Sequence, residues 1–116
     1  MKNYKQLKVW QKGKAIAVQT YRLTSVLKNH DAHIFTSQVT RAALSISSNI
    51  AEGSSRRSEK DYARFLEIAL GSSFELETQL EVMAELSVAS TEPIDEIVEM
   101  VNEVQRMLYG LMKTLG

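Results

Sequence analysis

The sequence predicts an all-α protein, a single antiparallel up-down-up-down four-helix bundle spanning residues 1–116. Three observations carry this. Apolar residues recur at the helical period over four long segments, and no Val/Ile/Thr alternation of period two competes with them. Proline occurs once, at Pro93, so nothing breaks the interior of a segment. The links between segments are short, which makes successive helices antiparallel neighbours.

The first helix is expected from about Leu7 to Lys28. Val9, Ile16, Thr20, Leu23 and Leu27 form its stripe, flanked by Trp10, Ala17 and Tyr21. Asn29, His30 and Asp31 break the pattern, with Asp31 as the N-cap of the second helix. That helix is expected from about Ala32 to Glu52, with Phe35, Val39, Ala42, Ala43, Ile46 and Ile50 on one face. Gln38, Arg41, Ser45, Ser48 and Glu52 make its other face polar, and Gly53 stands where a left-handed residue often ends a helix.

Ser58 opens the third and longest helix, with Asp61 three residues on in a capping-box-like arrangement. Tyr62, Leu66, Ala69, Ser73, Leu76, Leu80, Met83 and Ser87 then alternate in steps of four and three, a narrow seam suited to bundle packing. The fourth helix starts near Thr91, with Pro93 in the first turn, where a missing N–H costs nothing. Ile94, Ile97, Val101, Val104, Leu108, Leu111 and Leu115 form its stripe. Acids crowd its start and Lys113 its end, as the helix dipole prefers.

A chain of 116 residues buries roughly two-thirds of its unfolded surface, enough for a core without staples. Cysteine is absent, which excludes disulfides and thiolate metal sites. The start of the chain has no apolar leader and no later run is long enough to span a bilayer, so a cytoplasmic protein without membrane contact is expected. The formal charge is zero but unevenly spread. Residues 1–60 carry 11 Lys and Arg against 3 acids, and residues 61–116 carry 3 against 11. Such a basic half is either a nucleic-acid footprint or one side of internal helix pairing.

Catalytic and metal chemistry find little support. His30 and His33 lack the Glu-x-x-His spacing of a bundle-core metal site, and no third ligand is placed beside them. Arg22 and His30 are too far apart, across an expected helix end, to act as a cation–base pair on one helix. No Gly-rich phosphate loop precedes a helix. The expectation is therefore no enzyme, no cofactor, no metal and no small-molecule substrate. The densest polar stretch, "SISSNIAEGSSRRSEKDYARF" (Ser45 to Phe65), reads first as a hairpin with its caps. Asn49 falls on the buried stripe and requires a partner, for which Tyr62 is the candidate, while Glu52 answers the following arginines. Arg41, Arg56, Arg57 and Lys60 are the candidate contacts to nucleic acid or another anion. Trp10, Leu70, Phe74, Met100 and Met107 exceed what a monomeric bundle needs, and Gly71 in mid-helix suggests close backbone approach, so self-association is expected.

"LKVWQK" (Leu7 to Lys12), "SQVTRAALSISSNIAEGSSRRSEKDYARFLEIALGSSFELETQLE" (Ser37 to Glu81) and "MLYGLMKTL" (Met107 to Leu115) resemble a bacterial family of four-helix bundles. Its members are encoded within intervening sequences of large-subunit ribosomal RNA genes and are often labelled ribosomal proteins. The resemblance implies a homopentamer around a central channel and no established catalytic residues. A related branch, the accessory variability protein of diversity-generating retroelements, is a basic pentamer that binds reverse transcriptase and nucleic acid. Here Thr40 stands where the family usually has the first of two arginines, Ser47 replaces a usual proline, and "HIF" replaces a Tyr-Gly-Leu-like stretch. The expected function is a non-catalytic oligomeric scaffold that binds nucleic acid weakly, with a protein-binding adaptor as the alternative. Nucleic-acid binding requires the basic and acidic halves to be segregated in space, because otherwise their fields cancel within a few Debye lengths.

Overall fold

The computed structural model describes residues 3–28 and 30–115, and the side chain of Asp31 lies outside the description. A 3-10 turn at Tyr4–Gln6 precedes four helices, α1 (Lys8–Ser25), α2 (His30–Ser54), α3 (Glu59–Glu85) and α4 (Thr91–Lys113). Among the described residues there is no strand. The helices form a rod of 46 × 20 × 19 Å in which α1 packs on α2 and α4, and α3 packs on the same two helices.

Cross-helix bonds fix the register. Ser72 Oγ donates to Ser45 Oγ at 2.8 Å, and Gln79 Nε2 to Gln38 Oε1 at 3.4 Å, so α2 and α3 run antiparallel. Gln105 Nε2 donates to Glu77 Oε1 at 2.9 Å between α3 and α4, and Lys12 pairs with Glu103 at 3.3 Å between α1 and α4. At Gly13 the first two helices come close: a Cβ there would lie 3.3 Å from Ile46 Cγ2 and 3.5 Å from the Ser47 Cα.

The core is what the four stripes anticipate. Val9, Ile16 and Leu23 meet Val39, Ile46 and Ile50, while Tyr62, Leu66, Leu76 and Leu80 meet Ile94, Val101 and Leu108. Each is an i, i+3/i+4 position, and burying such a side chain contributes about 1.5–3 kcal/mol.

The helix ends differ from expectation in three places. Asp31 lies inside α2, which starts at His30, so it is not the cap, and the preceding residue is outside the described set. Gly53 also lies inside α2 and has no left-handed φ. Helix α1 ends at Ser25, because Val26 and Leu27 turn back, the latter's N–H reaching Thr24 O at 3.1 Å. Serine supplies the left-handed turn that glycine was expected to supply elsewhere. Ser87, at φ 57°, follows α3, with its N–H on Ala84 O and that of Val88 on Met83 O. This is a full Schellman closure. Ser58 caps α3 as expected, its Oγ accepting from Asp61 N at 3.0 Å.

Candidate nucleic-acid interface

The stretch from Ser45 to Phe65 becomes one end of the rod. Helix α2 leaves carbonyls unsatisfied at its C-terminus, and hydroxyls of the same turn answer them. Ser54 Oγ donates to Ala51 O at 2.7 Å and Ser55 Oγ to Glu52 O at 2.6 Å. The Arg56 N–H closes the turn on Gly53 O at 3.0 Å. Glu59 and Asp61 then place carboxylates in the first turn of α3, beside its positive dipole end.

Glycine at position 53 is required by contact. A Cβ there would lie 2.7 Å from Phe65 Cβ, closer than carbons approach, and a tight 3.1 Å from Tyr62 Cδ1. The absent side chain lets the start of α3 lie against the end of α2. Phe65 in turn has the guanidiniums of Arg56 and Arg64 each 4.7 Å from its ring centroid. Arg56 also forms an ion pair with Glu52 at 2.7 Å. Arg56 is thus engaged twice, in a geometry that favours cation–π attraction.

Asn49 does not turn to Tyr62 through its amide. Its Nδ2 donates to Ser45 O at 2.8 Å and Ser45 Oγ at 2.9 Å, one helical turn back. Ser45 also receives the bond from Ser72, so Asn49 joins a polar seam between α2 and α3. The side chain is half-buried, at the margin of the stripe rather than at its centre. Tyr62 is buried beside Gly53, and that burial pushes its phenol above the usual value. It remains a neutral hydroxyl at physiological pH.

Arg57 and Lys60 are exposed, and neither forms an ion pair among the described residues. Arg41 belongs elsewhere. It lies on the same helix as Glu52 but about 16 Å away at 1.5 Å per residue, so the structure does not bring it to the hairpin. The register brings to the hairpin Lys5 and Lys8 of the basic half, before and at the start of α1, and adds Lys113 in the last turn of α4, which the sequence left apart.

Cutting the rod at the level of Ile16, Ala43, Phe74 and Val104 shows the consequence. Among described side chains, the hairpin half holds ten Lys and Arg (5, 8, 12, 14, 56, 57, 60, 64, 106, 113) against four acids (52, 59, 61, 67). The other half holds three (22, 28, 41) against nine (75, 77, 81, 85, 92, 95, 96, 99, 103). The chain is an electric dipole along its long axis. That axis, 46 Å, is several times the ~8 Å Debye length at physiological salt, so each end presents its own field.

The expected interface residues divide. Trp10, Leu70, Met100 and Met107 are half-buried against the protomer's own core, and Trp10 is further covered by Tyr4, edge-on at 5.2 Å, and by the Lys14 ammonium at 5.4 Å. Phe74 is exposed. Gly71 has nothing within 4 Å of where its Cβ would be, so the close approach expected there does not occur inside the protomer. Val18, Leu44, Ile68 and Val82 are among the exposed apolar residues that sequence reading missed, and Tyr21, expected beside the α1 stripe, is exposed as well. Their signal was present as apolar residues off the main stripes of α1, α2 and α3.

Among the described residues no three His, Asp or Glu side chains gather as a metal site, and no helix is long and apolar enough to cross a membrane.

A crystallised protein of unknown function from the S23 ribosomal protein family of Bacteroides thetaiotaomicron superposes on this bundle with a TM-score of 0.84. It is 27% identical, over 90% of this chain and 98% of that one. No curated protein matches. The family model of the 23S rRNA-intervening sequence protein matches residues 5–110, which takes in all but the last turn of the bundle. The chain therefore belongs to the 23S rRNA-intervening sequence protein family.

Proposed function

We propose that this protein is a non-catalytic, self-associating scaffold of the cytoplasm that holds nucleic acid against the basic end of its bundle. The observation that supports the reading is the axial separation of charge, with a net +5 in the hairpin half and −5 in the other once Lys12 and Glu103, paired across the boundary, are set against each other. The polar groups an enzyme would need at the hairpin are committed to one another: Asn49 to Ser45 and Glu52 to Arg56. Arg57 and Lys60, with Lys5, Lys8 and Lys113 around them, remain to meet phosphates. Self-association with the basic ends on one rim multiplies the field, as the homopentamer suggested by resemblance would do. Contacts of this kind read the phosphate backbone and carry no sequence information.

Gel shifts of RNA and DNA at low and moderate salt test the reading. Wild type should bind at low salt with an affinity that falls steeply as salt rises, because binding releases condensed counterions. Arg57→Ala/Lys60→Ala should weaken binding for every sequence and reduce the salt slope by about 2. Arg41→Ala, in the acidic half, should leave both unchanged. No shift at low salt would remove nucleic acid from the proposal and leave a protein-binding scaffold.

A further inference from the structure

Val18, Tyr21 and Leu44, and separately Ile68 and Val82, form two exposed apolar surfaces on different sides of the rod. Between the outer faces of α1 and α2 runs a groove of about 490 Å³ lined by Ala17, Val18, Tyr21, Arg22, Thr40 and Leu44. Its walls are open to solvent, with Tyr21 66% and Leu44 57% exposed. Arg22 lines it, and helical spacing sets Lys14 one turn from Val18 and Arg41 one turn from Leu44, so the rim is cationic. The second surface is a stripe on α3: Ile68, Gly71, Glu75 and Val82, spaced three, four and seven apart, with Ile68 and Val82 each 42% exposed. Its surroundings are acidic on balance, with Glu67, Glu75 and Glu85 against the cation Arg64 on the solvent side of the same helix.

We propose that the α3 stripe of one copy seats in the α1–α2 groove of the next. This rests on the self-association proposed above and names the surfaces that carry it. Three features favour a second copy as the occupant. The charges are complementary, a cationic rim against an acidic stripe. Gly71 costs α3 roughly 1 kcal/mol in helix propensity and meets nothing in its own protomer, whereas a bare glycine lets a neighbouring helix approach closely. The levels also match. The Ser45–Ser72 and Gln38–Gln79 bonds set residues 40–44 of α2 at the height of residues 73–77 of α3, the middle of the stripe.

The contact therefore needs no displacement along the rod. Ile68 stands one turn from Ser72 and Val82 one turn from Gln79, so the stripe borders the α2–α3 side, next to the side on which the groove opens. In a four-helix bundle, adjacent sides are about a right angle apart around the axis. A heterologous contact that turns without translating closes into a small ring instead of extending as a filament.

Two variants placed on opposite surfaces test this. Leu44→Glu sets a carboxylate against the acidic stripe at an exposed position. Gly71→Arg fills space that is open in the protomer and raises helix propensity, so it blocks the contact without harming the fold. By size exclusion with light scattering, wild type should run as a multiple of the 13.1 kDa chain greater than two. Each variant alone should run as a single chain with unchanged helical circular dichroism. An equimolar mixture should form a dimer of twice the chain mass and go no further, because only one intact groove and one intact stripe remain per pair. If either variant keeps the wild-type mass, or the mixture stays at one chain, this pairing of surfaces is wrong while self-association stands. A wild-type protein that is itself a single chain overturns both.

Discussion

The α2–α3 and α3–α4 turns reverse the chain by opposite means. The first spends its glycine on contact: Gly53 is helical and empty of side chain because Phe65 and Tyr62 occupy that space. Its helix end is satisfied by serine hydroxyls. The second needs a left-handed residue and uses a serine, Ser87 at φ 57°, to close the Schellman bonds. Glycine near a helix end therefore signals either backbone freedom or close packing, and only the neighbouring element distinguishes them. The contact turn carries the basic end of the rod, and its tight packing fixes where Arg56 and the arginine–phenylalanine cluster sit.

The largest test of this contrast is Gly53→Ala. The new methyl must displace Phe65 or separate α2 from α3, so thermal melting at fixed protein concentration should show a loss of about 1–3 kcal/mol. A gain, as expected for an ordinary helical glycine, would refute the contact role. Next in size is Ser58→Ala, which removes the cap on Asp61 N. It should cost about 1 kcal/mol, or roughly 4 °C in Tm for a domain of this size. Smallest is Ser87→Gly. Relieving the left-handed serine, offset in part by the freer unfolded chain, should stabilise the protein by about 0.5–1 kcal/mol. No gain there would mean that the serine side chain makes up for its backbone strain.

Much of the fold is legible in the sequence because its determinants are local. The stripes of α3 and α4 and the caps at Ser58 and Pro93 depend on residues within a turn or two of each other, so spacing alone reveals them. The helix ends at Asp31 and Gly53 mislead because a cap residue and a helix-interior residue of the same type look alike until the adjoining element is placed. Spacing alone points Asn49 at Tyr62 across the hairpin, whereas its amide finds Ser45 on its own helix. An i, i+4 partner is always within reach and needs no second element to be positioned. Of the candidate interface, Arg56, Arg57 and Lys60 are visible as a run. Lys5 and Lys8 are visible only as members of the basic half, Lys113 is not visible at all, being far away in the chain, and Arg41 shares the basic half but lies toward the other end of the rod.

By itself, the sequence determined four amphipathic helices, their antiparallel order, the identity of the core and the presence of a basic and an acidic half. Each comes from periodicity, caps, link length or composition, which require no knowledge of what lies opposite. Tertiary structure alone decided how those charges fall in space. Division by chain position sets residues 1–60 against 61–116, but antiparallel packing puts both parts of that division at both ends of the rod. The separation that survives is axial, because the cations cluster at the start of α1, the end of α2 and the start of α3, which the interhelical register stacks together. The same register brings the α3 stripe level with the α1–α2 groove. Register is set by side chains meeting across helices, such as Ser45 with Ser72 and Glu77 with Gln105, and such long-range choices leave no period in the sequence from which they can be read.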